Sequence, residues 1–157
     1  MTDNPVKGAP LARYAASKRV GDFIFLSGVI AVDPTRHLVI SSFDDIPGEV
    51  ADKIGRTGEF SSDIKKGAIL SQSWYVLDSI QHIIEREGGQ MSDVFKLVQY
   101  FRNLDHFPYY SQVRALFFPD TPPISTIVEV SAMLPNEKVL VEVEATAYLP
   151  LDGNRNL

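Results

Sequence analysis

The stretch from Ser125 to Tyr148 constrains the fold more than any other part of this sequence. It contains two runs rich in Val, Ile and Thr, and each run alternates in character at every second position. Between them lies a turn with Pro135, Asn136 and Glu137. Paired alternating runs around a turn of this composition predict a β-hairpin. We therefore expect a sheet that is built around this hairpin.

The second run places two carboxylates on one face of its strand. Side chains of a strand alternate between its two faces, so one face carries Val139, Val141, Val143, Ala145 and Ala147, and the other carries Leu140, Glu142, Glu144 and Thr146. Two explanations are open for the second face. A solvated face would carry two ordinary acids. A face covered by another subunit would desolvate a carboxylate, raise its pKa and suit it to general acid or base catalysis.

Length and composition limit the other possibilities. A chain of 157 residues with 45% hydrophobic content is expected to form one domain, residues 1–157, with a single core. The absence of cysteine excludes disulfides and thiolate sites, and the three histidines, His37, His82 and His106, lack the spacing of metal ligands. We therefore expect no metal site built on cysteine or histidine.

Charge and hydropathy indicate whether nucleic acid or a membrane is a partner of this protein. A net charge of −5, with basic residues clustered only in pairs, argues against binding to nucleic acid, because phosphate neutralisation needs a basic face. No apolar run approaches the length of a membrane span or a signal peptide. A cytoplasmic protein without a membrane partner is expected.

The remaining elements follow in order along the chain. The patterns predict a strand over Asp22–Val29, a long surface loop over 42–60 with room for a short helical turn, a helix over Ser61–Glu87, a strand over Val94–Arg102 and a helix over Phe107–Phe118. This order indicates the α+β class, with a mainly antiparallel sheet and two helices on one face. The first strand ends in Ser27 and Gly28, where a glycine permits close approach of a ligand or simply tight packing.

Several motifs occur together in the order typical of one protein family. They are Tyr14, FIFLSG (Phe23 to Gly28), VLDSIQHIIEREGG, SDVFKLVQYFRNLDHF, ALFFPDTPP and VEV followed by LPNEKVLVEVEATA. In this joint order the chain resembles the Rid family of reactive-intermediate deaminases, also called YjgF. The segment 42–60 looks like an expansion of a region that is shorter in most members.

The resemblance implies a chorismate-mutase-like fold and a homotrimer, whose sheets form a barrel with clefts between subunits. It implies hydrolysis of imines or enamines of small acids, with release of ammonia and without a metal or organic cofactor. Glu142 matches the glutamate that activates water, and Tyr14, Ser27 and Gly28 match residues that line the cleft. The main chain near Ser125 and Thr126 would orient the polar end of a small-molecule substrate.

One departure from the family concerns its arginine, which binds the substrate carboxylate from a Pro-Ala-Arg-Ser motif. Here the sequence reads PPISTIVEV, so Ile124 or Ser125 takes that place. Arg13, Arg19, Arg56 and Arg102 are candidates for a replacement. Arg56 is the preferred one, because an arginine in the long loop could close over the cleft as part of a lid. The other explanation for Arg56 is an exposed loop charge.

Three functions are compatible with these features. The first is a deaminase of small imines or enamines, with 2-aminomuconate as a specific candidate because the terminal Ala147-Tyr148-Leu149-Pro150 resembles such members. The second is a non-catalytic trimeric module that binds a small metabolite in the same cleft. The third, cleavage of nucleic acid, is disfavoured by the acidic composition.

Overall fold

The computed structural model describes residues 6–155. These residues form a mixed α+β fold, in which strands and helices both occur along the chain. The strands are β1 (Ser17–Val20), β2 (Phe23–Leu26), β3 (Val29–Ile30), β4 (Val32–Asp33), β5 (Leu38–Val39), β6 (Val94–Phe101), β7 (Ile124–Glu129) and β8 (Val141–Tyr148). The main sheet has the order β1-β2-β8-β6-β7, with β3 also paired to β8. The strands β4 and β5 form a separate two-stranded ribbon.

The predicted β-hairpin over Ser125–Tyr148 is wrong. Both runs are strands, but β7 pairs with β6 in parallel, and β8 lies between β2 and β6 in antiparallel pairing. The connection between β7 and β8 is long enough to pass β6, whereas a hairpin loop usually has about two to five residues. Alternation in the sequence identifies the faces of a strand, but it does not identify its neighbour.

The two long helices are confirmed, and the structure adds a third. Helix α2 (Phe60–Arg86) and helix α3 (Phe107–Phe117) match the predicted bounds to within a residue. The segment 42–60, predicted as a surface loop with room for a short helical turn, contains a 3-10 turn at Phe43–Asp45 and the seven-residue helix α1 (Gly48–Ile54).

The sequence did not give the bounds of this short helix, because a seven-residue segment has too few turns to show a period, and packing provides its stability. Its buried side chains and those of the preceding turn are Phe43, Ile46, Ala51 and Ile54. They join the main core, and both elements contact α2. The segment is therefore fixed to the body of the protein.

The core lies between the helices and one face of the sheet. The alternation predicted for β8 is confirmed: Val141, Val143 and Ala147 are fully buried, whereas Glu144 on the opposite face is exposed. The helix surface that meets them is apolar and includes Leu70, Leu77, Ile80, Ile83 and Ile84.

The outer face of the sheet carries exposed apolar and aromatic side chains. Phe23 is 39% exposed and Phe25 is 46% exposed, and the Phe23 ring lies 5.5 Å from that of Tyr148 and 5.9 Å from that of Phe95, centroid to centroid. Single exposed apolar residues are ordinary, but a continuous apolar patch indicates an interaction surface.

Within residues 6–155, none of the helices combines the length and the apolar character needed to cross a membrane.

Candidate active site

A β-bulge places the carboxylate of Glu142. Strands β2 and β3 both pair with β8, but their registers differ by one residue, so that Leu26, Ser27 and Gly28 lie opposite only Ala145 and Glu144. A Cβ atom on Gly28 would overlap Oε1 of Glu142. Glycine is therefore required at position 28 if the Glu142 carboxylate is to lie against the bulge.

The environment of Glu142 changes its acidity. Burial raises the pKa of the Glu142 carboxyl, and the nearby charge of Glu144 raises it further. A carboxyl group that holds its proton closer to neutral pH is suited to proton transfer. From the sequence, we expect a raised pKa if a second subunit covers this face of the strand. In the structure, the pKa of Glu142 is already raised within a single chain.

Tyr100 lies beside the two carboxylates. It is the partner of Glu142 in the pairing of β6 with β8, and its side chain is on the same outer face of the sheet. Burial raises the pKa of the Tyr100 hydroxyl, with further contributions from Glu144 and Glu142. Tyr100 therefore stays protonated and is a hydrogen-bond donor in this site.

Tyr14 and the main chain around it form a second wall. Tyr14 is 44% exposed, and its hydroxyl accepts a hydrogen bond of 3.2 Å from the backbone N–H of Leu11. The Ser27 hydroxyl donates to the carbonyl of Ala15 at 2.7 Å, and the Ser27 N–H donates to the carbonyl of Ala16 at 3.0 Å. Ser27 thus holds the segment that carries Tyr14.

One open groove with a volume of about 990 Å³ is lined by the predicted residues Tyr14, Ser27, Gly28 and Glu142. Its remaining wall comes from the connection between β7 and β8, and the lining of this wall is Val130, Ala132, Met133, Leu134 and Pro135. Glu144, Tyr100 and His37 also line the groove. In the part of the chain that the structure describes, the groove lining contains no lysine and no arginine.

The other predicted site residues lie outside this groove. Ser125 and Thr126 belong to β7 at the edge of the sheet, and Ser125 points toward the helices, where its hydroxyl accepts from Gln99 Nε2 at 2.8 Å. Arg56 follows α1 and forms an ion pair with Asp52 at 2.8 Å. The groove of one chain thus unites Glu142 with the predicted residues Tyr14, Ser27 and Gly28, but not with Ser125, Thr126 or Arg56.

Sequence reasoning missed Tyr100 and the arginine that contacts Ser125. Tyr100 could have been found, because the alternation in β6 places it on the face opposite to the buried Leu97 and Phe101. Arg114 of α3 donates from Nη1 to the Ser125 hydroxyl at 3.0 Å. No local pattern links these two residues, because the contact depends on how α3 packs beneath β7. Among residues 6–155, no three His, Asp or Glu side chains form a group that could hold a metal ion.

Comparison with known proteins assigns the family. The model of the endoribonuclease L-PSP family matches residues 5–149. The chain belongs to this family. The resemblance to Rid proteins that the motifs predict is thereby confirmed, and the mixed α+β fold agrees with solved structures of the family.

Three similar proteins illustrate the relationship. A RutC family protein of Pyrococcus horikoshii is 33% identical over 147 residues, which are 94% of this chain and 94% of that protein. The 3-aminoacrylate deaminase RutC of Acinetobacter baylyi is 24% identical over 140 residues, covering 89% of this chain and 90% of that one. A solved structure from Klebsiella pneumoniae is 63% identical with a TM-score of 0.86, and covers 87% of this chain and 100% of that chain.

Proposed function

We propose that this protein hydrolyses a small imine or enamine and releases ammonia, with Glu142 as the general acid and base. The observation that carries the proposal is a half-buried carboxyl with a raised pKa at the floor of an open groove. The family relationship supports it, because one relative is named a 3-aminoacrylate deaminase.

The reaction needs few groups. An enamine first gains a proton at carbon and loses one from nitrogen, which gives the imine, and water then adds to the C=N carbon. Glu142 accepts a proton from the attacking water and returns a proton to the nitrogen. The carbinolamine then expels ammonia and leaves a carbonyl product. Tyr100 and Tyr14 are placed to donate hydrogen bonds within the groove.

A second copy of the chain would complete the site. The groove is open on the outer face of the sheet, and the same face carries the exposed side chains of Phe23, Phe25 and Val128. Association of three copies through these faces would bury the apolar patch and cover Glu142. The edge strand β7 of one copy, with Ser125 and Thr126, would then approach the groove of the next.

Cleavage of RNA is disfavoured despite the description of the family. The groove of the described chain is lined by Glu142 and Glu144 and by no lysine or arginine, so that it would repel phosphates. A non-catalytic module that binds a metabolite is the remaining alternative, and it differs from an enzyme by retention of a ligand without turnover.

The charge of the groove bears on the identity of the substrate. 2-Aminomuconate carries two carboxylates, and the lining described above offers them no cation. 2-Aminomuconate is therefore tested together with smaller imino acids and is not the preferred substrate.

The decisive experiment measures ammonia release from imino acids, 3-aminoacrylate and 2-aminomuconate generated in the assay. Wild-type protein is expected to exceed the uncatalysed rate, and Glu142→Gln to lose at least about a hundredfold of the acceleration. Glu49→Gln, an exposed glutamate in α1, is the matched control and should retain activity. Ammonia release by wild type at the uncatalysed rate on every substrate would refute the proposal, and tight ligand retention in that case would favour the binding module.

A further inference from the structure

A buried polar cluster lies beneath the edge strand β7. At its centre is Gln99, whose side chain is fully buried. Its Nε2 donates to the Ser125 hydroxyl at 2.8 Å and to the Thr126 carbonyl at 3.1 Å. Its Oε1 accepts from the Tyr110 hydroxyl at 2.6 Å and from Arg114 Nη1 at 2.8 Å. Both donors and both acceptor positions of the amide are thus occupied, and its orientation is fixed because Arg114 can only donate.

This cluster holds Arg114 in one place by neutral contacts. Nη1 is committed to Gln99 and to Ser125, and the guanidinium carbon lies 5.6 Å from the ring centroids of Phe107 and Tyr110. Within residues 6–155, no carboxylate forms an ion pair with Arg114. A partly buried cation without a counter-ion is unusual, because burial of a charge is costly unless it is paired.

The free edge of Arg114 has the geometry for an anion. Its Nε and Nη2 make no hydrogen bond with the residues that the structure describes, and the N–H groups on this side of a guanidinium point in parallel. Two parallel N–H donors match the two oxygens of a carboxylate. Arg114 lies at the edge of the sheet, beside Ser125. Ser125 is one of the two residues, with Ile124, that can take the place of the family's arginine in this sequence.

We propose that Arg114 is the residue that binds the carboxylate of the substrate, delivered from helix α3 rather than from strand β7. The inference rests on the proposed function, in which β7 of one copy faces the Glu142 groove of another. It accounts for the groove itself, which is acidic and needs a cation from elsewhere if the substrate is an anion. Arg56 is less suited to this role, because its guanidinium already forms an ion pair with Asp52.

The test uses binding, so that it does not depend on turnover. Calorimetry of the full-length protein compares 2-oxobutanoate, a small 2-oxo acid, with its uncharged methyl ester. Arg114→Lys keeps the charge but loses the fork, and is expected to weaken binding of the acid by about tenfold while it changes binding of the ester by less than about twofold. Arg114→Gln is a second variant, for which a loss at least as large is expected for the acid alone.

Arg86→Lys is the matched control, since Arg86 lies in the last turn of α2, where its Nη1 also donates to a neutral acceptor, the Lys7 carbonyl at 2.8 Å, and it should leave both affinities unchanged. Equal weakening of acid and ester in the Arg114 variants would indicate a structural role and overturn the inference, as would the absence of acid binding by wild type. Arg114-dependent binding of the acid by a protein that releases no ammonia would refute the proposed deaminase activity and support the inference.

Discussion

The carboxylate of Glu142 occupies the position that a Cβ atom on Gly28 would take, at the bulge where the register of pairing with β8 changes. The space that the carboxylate occupies is the space that a side chain at position 28 would need. The identity of residue 28 therefore controls the position of the proposed catalytic group.

Gly28→Ala is expected to displace the Glu142 carboxylate and to lower ammonia release by at least about tenfold, because a small misplacement of a proton-transfer group is costly. The new methyl group would overlap Oε1 of Glu142. The measurement is kcat/KM for the best substrate of the panel. Gly48→Ala is the control, because its Cβ would meet only Arg56 Nη2 at an ordinary 3.5 Å. Unchanged kcat/KM in Gly28→Ala would contradict the assigned position of Glu142.

Glu142→Gln is expected to stabilise the protein at neutral pH. The pKa of Glu142 is raised in the folded state above its ordinary value of 4.5 by burial and by Glu144. Its contribution to stability is therefore fully present below the unfolded-state pKa and is lost as the pH rises through the folded-state pKa.

The difference in thermal midpoint between Glu142→Gln and wild type should be positive at about pH 7.5 and should vanish toward about pH 4. Glu144→Gln is the comparison, because Glu144 is exposed on the same face of β8. A midpoint difference of the same size at both pH values would show that Glu142 is not desolvated.

Phe25→Asp is expected to prevent association of copies through the outer face of the sheet. Phe25 is 46% exposed and its ring centroid lies 6.4 Å from that of Phe23 in the aromatic patch. A charge there cannot be buried without a large cost. Light scattering should give a trimer mass for wild type and a smaller mass for the variant, with reduced ammonia release.

Leu151→Asp is the control for assembly, because Leu151 is 73% exposed but lies beyond the last strand. It should keep the wild-type mass. A monomeric wild-type protein would remove the basis for a site shared between copies.

Gln72→Leu is expected to lower the free energy of unfolding by about 2–4 kcal/mol, because it leaves buried polar groups of the main chain without partners. The fully buried Gln72 donates to the carbonyls of Ile40 at 2.9 Å and Lys138 at 2.7 Å, and accepts from the N–H of Leu140 at 2.9 Å. Urea unfolding measures the loss.

The exposed Gln112 of α3 supplies the control variant Gln112→Leu, for which we expect a change within about 0.5 kcal/mol. A similarly small change for Gln72→Leu would show that water replaces the lost hydrogen bonds. In that case Gln72 would not be what fixes the start of β8.

The sequence predicted those parts of the site that depend on one strand or on the family motifs. The alternation in β8 placed Glu142 on the outer face, and the motifs indicated Tyr14, Ser27 and Gly28, which the structure unites in one groove. Tyr100 was within reach of the same reasoning.

The sequence could not predict the position of Arg114, because no local pattern relates a residue of α3 to a strand that follows it. Its contact with Ser125 arises from packing of the helix beneath β7, with the buried Gln99 between them.

By itself, the sequence determined which segments become helices and strands and which face of each is buried, because side-chain periodicity acts over a few residues of one segment. Only the tertiary structure decided that β6 separates β7 from β8, that helix α1 packs as a fixed part of the segment 42–60, and that a bulge before β3 makes room for the Glu142 carboxylate. These features depend on strand neighbours and on burial against distant segments, which the order of residues along one segment does not encode.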